Sequence, residues 1–290
     1  DAEVGMSARL WRDRMRALVR NNPHAANALS VLVTHAVGAG IVPRVKDKKV
    51  QALFEKWRRQ CDADGQLDFY GIQALAVRGM LESGDGLVRR RRRRMSDGLP
   101  VPLQLQVIEA DLIDSLKDGQ FAGNRLAIQG VEFDALGRRS AYWLFGSHPG
   151  NTYFDMRATV ESKPIPAVDI AHVYEKQRTQ VRGVPWGAPA ISSVYDLGTY
   201  EQAELMRKRM EACLVGVVTG GEDDGLGIPL SGDEQLQPGV YDNTGAVVEK
   251  FEAGMFLHAK GGKDIKFNQP ANTGGYDVYK DSMLHTIAAA

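Results

Sequence analysis

The chain has 290 residues, and its 36 Lys and Arg balance its 36 Asp and Glu, so the formal net charge is zero. That balance argues against a tight nucleic-acid clamp as the role of the whole molecule, because each phosphate contact draws on a Lys or Arg. Two distant cysteines, Cys61 and Cys213, do not indicate a disulfide framework, and no apolar run approaches the about 18–20 residues that span a bilayer, so a soluble, intracellular protein is expected.

Residues 6 to 37 read as helical with a break at Asn21-Asn22-Pro23, where Asn22 is a good cap. Beyond the break, Leu29, Leu32, Val33 and Ala36 share one face, and Gly38-Ala39-Gly40 ends the helix rather than forming a phosphate turn. Lys48 to Cys61 forms a second amphipathic helix, with Leu53, Phe54 and Trp57 on the side expected to be buried. Asp62-Ala63-Asp64-Gly65 resembles the opening of a calcium loop. However, its glycine is misplaced and Gln73 stands where the twelfth-position Glu is required, so it reads as an Asp-rich turn. Asp68 to Leu81 is a third helix, capped by Asp68 and ended near Gly84.

The pattern then turns to strands. Gly86 leads into six consecutive arginines, Arg89, Arg90, Arg91, Arg92, Arg93 and Arg94, and Asp97-Gly98 is a hairpin signal before the strictly alternating Leu103-Gln104-Leu105-Gln106-Val107. A strand points its arginines alternately to both faces. They are either a phosphate-contacting ridge, or an interfacial strand pairing with carboxylates of neighbouring elements or subunits, and zero net charge favours the second. Further strands are expected within 121–145 and in an extended segment from Pro164 to Tyr174. His172 on that segment is expected to be a packed strand residue, because no partner stands at metal-ligand spacing.

From Val181 to Val218 runs a long helical pattern entered through Pro185 and Pro189. It is rich in Ala, Leu, Met, Glu, Arg and Lys, and on the order of 40 Å long at about 1.5 Å per residue. Its apolar residues, Ile191, Val194, Leu197, Ala203, Met206, Met210 and Cys213, recur mostly three apart, a stripe that drifts around the helix and needs neighbours on more than one side. Glu204 with Lys208, and Arg207 with Glu211, stand four apart and can pair. Residues 226–274 are glycine-rich with strand signals at Val247–Phe251, Met255–His258 and Ile265–Phe267, and Tyr276 to Ala290 is helical again. No Walker loop, nucleophile elbow, His-Glu-x-x-His or Cys-x-x-Cys motif occurs, and the six histidines are scattered singly. The residues alone therefore give a mixed α and β protein of structural type, with no cofactor and no catalytic motif. Both ends lack helix stop signals, so the chain reads as a fragment of a longer protein.

Several stretches, in order along nearly the whole chain, carry a resemblance: Asn21-Asn22-Pro23; Val37 to Ile41; Trp57 with Cys61-Asp62; Asp68-Phe69-Tyr70; Asp97 to Gln106; Glu109-Ala110-Asp111; Gly130 to Asp134; Ala141-Tyr142-Trp143; His148-Pro149-Gly150; and Gln180 to Trp186. Together they resemble the lambda-family portal proteins of tailed phages and prophages. The resemblance implies an α+β portal fold. Residues 1–180 would be a wing of helices then strands, 181–218 a first stem helix, 219–274 a small β-rich clip, and 275–290 the start of a second stem helix. It implies a homo-oligomeric ring, usually dodecameric at full length, at one vertex of the capsid. Double-stranded DNA passes through such a ring, and terminase, capsid and head–tail connector proteins dock on it. Such a protein is not an enzyme, touches no membrane, and belongs to the virion after assembly in the host cytoplasm. On that reading Glu201, Glu204, Arg207, Lys208 and Glu211 are the candidates to face the DNA channel. Glu222, Asp223, Asp224, Glu249, Lys250 and His258 are the candidates to dock terminase or connector. Two other readings are a monomeric nucleic-acid-binding protein using Arg89–Arg94, and a hydrolase with a composite carboxylate site.

Overall fold

The structure is a computed structural model that describes residues 2–121, 123–150, 161–212, 216–219, 264–267 and 275–290. It divides into two compact units, one of residues 1–195 (with Ala290) and one of residues 196–289.

The first unit opens with four helices: α1 (Ala2–Asn21), α2 (Pro23–Val37), α3 (Lys48–Trp57) and α4 (Phe69–Ser83). Their starts are written locally. Asn22, Asp47 and Asp68 each sit in extended backbone and accept the first free N–H groups of α2, α3 and α4. Gly38 closes α2 and left-handed Gly84 closes α4, as the sequence leads one to expect. Met15, Val19, Leu29 and Leu81 form the buried core of this helical layer, with Val33 and Met80 packed against it.

Two expectations fail here. Leu32 is 45% exposed and Leu53 43% exposed, and α3 stops at Trp57 with no fully buried residue. The apolar stripes are real, but α2 packs mainly through Leu29, Ala25 and Val37 and leaves the neighbouring row uncovered. Asp62 forms the expected turn, its carboxylate accepting from the N–H groups of Asp64, Gln66 and Leu67.

Two antiparallel sheets follow. In the first, β1 (Gly86–Arg92) lies between β2 (Leu103–Ile108) and β8 (Ile170–Val173). The second runs in the order β3 (Gly119–Phe121), β4 (Arg125–Ile128), β5 (Val131–Phe133), β6 (Arg139–Phe145) and β7 (Ser162–Pro166). Leu87, Ile108 and Ile170 of the first sheet share one core with Val131, Tyr142 and Leu144 of the second, joined by Ile113 and Val181. The extended segment expected from Pro164 to Tyr174 is in fact two strands. A 3-10 turn at Ala167–Asp169 breaks it, so that β7 pairs with β6 while β8 pairs with β1. A buried carboxylate, Glu132, is held in the second sheet by Arg125, the Ser140 hydroxyl and the Trp143 indole N–H.

In the second unit, α5 (Ile191–Ala212, its first turns belonging to the first unit) and α6 (Tyr276–Ala288) pack together. The helix expected to run to Val218 ends at Ala212, because Gly216-Val217-Val218-Thr219, a glycine followed by β-branched residues, forms strand β9. β9 (Gly216–Thr219) pairs antiparallel with β10 (Asp264–Phe267). At 22 residues α5 is about 33 Å long. The strands expected at Val247–Phe251 and Met255–His258 lie outside the described residues, whereas that at Ile265–Phe267 is present as part of β10.

Candidate functional site

The residues that lead into the long helix are anchored by a buried ionic network. Asp85, between the end of α4 and the start of β1, is 1% exposed and holds three neighbours at once. Arg182 Nε donates to Asp85 Oδ2 at 2.7 Å, and the Gly183 N–H and His172 Nε2 meet Oδ1 at 2.7 and 2.9 Å. Arg182 also donates to the carbonyl of Ala110. On the far side of the His172 ring, Nδ1 lies 2.7 Å from Arg139 Nη1, and Arg139 further donates to the Tyr142 and Tyr174 hydroxyls and the Val181 carbonyl.

The donors fix the tautomer. Arg139 has only protons to give, so Nδ1 must accept, and Nε2 carries the proton donated to Asp85. Burial pushes the His172 pKa down, and Arg139 and Arg182 add to that against the pull of Asp85. Burial alone would raise the Asp85 carboxyl, but Arg182, His172 and the Gly183 N–H outweigh it and hold the group well below the usual carboxylate range. The same segment is fastened again by Trp186 N–H to the Leu81 carbonyl, and Gly187 lies against Met15. The motif Gln180–Trp186 is thus the anchored root of α5. His172 is a packed strand residue, as the sequence leads one to expect, and a member of this network.

The five channel candidates all lie on α5. Glu201 faces α6: its carboxylate is 3.2 Å from Lys280 Nζ and accepts from the Tyr276 hydroxyl at 3.4 Å. Tyr200 stacks on Tyr276 and tilts against Tyr279. Glu204 pairs with Arg207, three residues on, and both are partly covered. Lys208, the partner expected for Glu204, is exposed on the same helix. Glu211 lies on the same helix with its side chain outside the described residues; Glu222, Asp223, Asp224, Glu249, Lys250 and His258 lie wholly outside them.

The arginine run does not form one ridge. As the central strand of its sheet, β1 alternates: Arg90 and Arg92 reach Asp169, whereas Arg89 and Arg91 line a cleft on the other side. Arg93 donates to Gln104, and the Arg94 N–H to Asp97. Glu109, Asp111 and His148 cluster with their ligand atoms all within 4.8 Å of one another. Asp111, however, is already bonded by Arg12 Nε at 3.0 Å and by Arg16, and two guanidiniums on one carboxylate oppose a cation there.

Sequence reasoning missed Asp85 and Arg139 as partners. Arg182 alone had a signal, its place in the Gln180–Trp186 motif.

The chain is 28% identical over 259 residues to a probable portal protein of Halomonas phage phiHAP-1, which covers 84% of this chain and 48% of that relative. It therefore spans about half the length of the curated relative it matches. Among solved structures, the neck of an empty gene transfer agent particle computed with C6 symmetry matches at TM-score 0.57 and 14% identity, over 96% of this chain and 67% of that one. The neck of the native particle computed with C12 symmetry matches at TM-score 0.55 and 15% identity, over 95% and 66%. At that identity the likeness is one of fold. The model of the lambda-family phage portal proteins matches residues 1–290. The chain belongs to the lambda family of phage portal proteins.

Proposed function

We propose that this chain is the wing, first stem helix, clip and opening of the second stem helix of a portal subunit. Such subunits form the ring at a capsid vertex through which double-stranded DNA enters and leaves. The match of the family over residues 1–290 carries the reading. The order of elements supports the division: helices and two sheets up to residue 180, then α5, then a β pair whose ends meet, then α6. The fold likeness to particle necks computed with C6 and C12 symmetry supports a ring of identical subunits in the virion.

The work assigned to such a ring is guidance and docking, not bond making; ATP hydrolysis and DNA cleavage belong to the terminase. A neutral chain suits a channel, since about six to ten firm phosphate contacts make binding strong and steeply salt-dependent, which would arrest a sliding duplex. Of the channel candidates, Lys208 is exposed, while Glu201 is engaged with α6. Glu222–Asp224 and Glu249–His258 remain the docking candidates for terminase and connector. Electron microscopy of the longer protein tests the reading: closed rings with a bore wide enough for duplex DNA are expected, and a monodisperse monomer under assembly conditions would refute it.

A further inference from the structure

Strand alternation divides the arginine run into a face that shares a carboxylate and a face without an ion pair among the described residues. Arg90 and Arg92 share Asp169. Arg89 and Arg91, on the other face, line an open cleft of about 580 Å³ together with Lys163 of β7, Gln106 of β2 and Glu161. Three cations therefore meet one carboxylate there. No ion pair joins Arg89, Arg91 or Lys163 to an acid among the described residues. Asp169 acts on Arg89 through space, while its Oδ1 is shared by Arg90 and Arg92. Burial and the neighbouring Arg91 both push the Arg89 pKa down, the mark of like charges held close and partly desolvated. The rest of the wall is apolar: Ile108, Leu144, Phe145 and Ile165.

Neighbouring guanidiniums that repel each other, held in place by a β-sheet, are arranged for an anion that bridges them. Arginine forks match phosphate oxygens in paired hydrogen bonds, and the local excess of positive charge is balanced by a dianion better than by a single carboxylate. The volume falls in the about 300–1,000 Å³ range of small-molecule sites, and the apolar wall can cover the carbon part of a ligand. We propose that the cleft between β1, β2 and β7 is a binding site for a phosphate group, carried by a small organic phosphate and gripped by Arg89, Arg91 and Lys163. This site goes beyond the ring function and does not depend on it.

The test is isothermal titration of the purified chain with inorganic pyrophosphate and with adenosine 5′-monophosphate, at low chloride. Saturable binding of one ligand per chain is expected. R89Q/R91Q should weaken it at least ~tenfold, while R92Q, which alters the paired face, should leave it within about twofold. If R89Q/R91Q does not fold, judged by far-ultraviolet circular dichroism, K163Q reads the same site from the other sheet and should also weaken binding. Competition by a 5′-phosphorylated single strand, with adenosine monophosphate inert, would keep the phosphate site and assign it to a nucleic-acid end. Absence of saturable binding to the folded wild-type chain, or equal loss in R92Q, would overturn the proposal. Ring formation is scored separately, so failure of either reading leaves the other standing.

Discussion

Gly183 and Gly84 meet backbone to backbone: a Cβ placed on Gly183 would lie 1.9 Å from the carbonyl oxygen of Gly84. This contact lets the Gly183 N–H reach Asp85, so the two glycines and the ionic network form one joint. Gly183→Ala must push the two chain segments apart, and a loss of about 1–3 kcal/mol or more is expected from overpacking. Gly98→Ala is the control. Its φ of 72° is strained for alanine, but nothing lies within 4 Å, so only the backbone term of about 1–2 kcal/mol applies. Urea denaturation of the two variants side by side gives the comparison, and an equal loss in both would contradict the joint.

Asp85→Asn keeps the shape of the side chain and removes its charge, leaving Arg182 buried at 2% side-chain exposure without its counter-ion. Breaking one partner of a buried pair costs about 3–5 kcal/mol. The double replacement Asp85→Asn with Arg182→Met removes the stranded charge and should recover part of that loss. A double-mutant cycle on unfolding free energies measures it, and strictly additive losses would show that the two residues do not act together.

Stability should fall as the medium is acidified. The His172 pKa is lowered in the folded chain, so the unfolded chain binds the proton first. The stabilisation is complete above the unfolded value of about 6.5 and declines as pH drops toward the folded value. Asp85 has a depressed folded pKa, so its contribution is present above the unfolded value of about 3.9 and is lost as pH falls further, toward its folded value. His172→Gln can still donate to Asp85 and accept from Arg139 but cannot titrate. Its denaturation midpoint should depend less on pH between neutrality and pH about 5 than that of the wild type. An unchanged slope would remove His172 from the account.

The two helices of the second unit are held more by rings than by charge. Tyr200 contacts both Tyr276 and Tyr279, at centroid distances of 6.0 and 4.4 Å. Tyr200→Ala should cost about 1–3 kcal/mol, from two aromatic pairs of about 0.5–1.5 kcal/mol each. Glu201→Gln loses a partly exposed ion pair with Lys280 and should cost under about 1 kcal/mol, less at high salt. Hydrogen exchange of the α6 amides reads both, and a larger effect from Glu201→Gln would reverse the assignment.

What the sequence reveals in this chain is what its physics makes local. Asn22 and Asp68 announce their helices because a cap acts on residues two or three positions away. Asp97-Gly98 announces the β1–β2 hairpin for the same reason. The root network could not be read in that way, since Asp85 and Arg182 stand 97 residues apart and neither has a neighbour that hints at the other. The far end of α5 is not legible locally, because helix-forming Glu, Arg and Met precede one glycine and two valines whose strand state depends on pairing with the distant β10. The exposed rows at Leu32 and Leu53 show the limit of periodicity: it finds the apolar face of a helix but not what covers it. The arginine run was legible as a strand, while which arginines find acids depended on Asp169, brought alongside by β8.

The pairing of β9 with β10 has one more effect. Gly216 faces Phe267 and Thr219 faces Asp264, so the chain leaves for residues 220–263 and returns from them at the same place. The entropy of closing that excursion is met at the strand pair and grows only slowly with its length, by about 0.6 kcal/mol per doubling. The excursion is therefore interchangeable: residues can be gained, lost or exchanged between Thr219 and Asp264 while the strand pair that closes it stays in register. A change in the length of that stretch is therefore expected to leave the rest of the chain undisturbed.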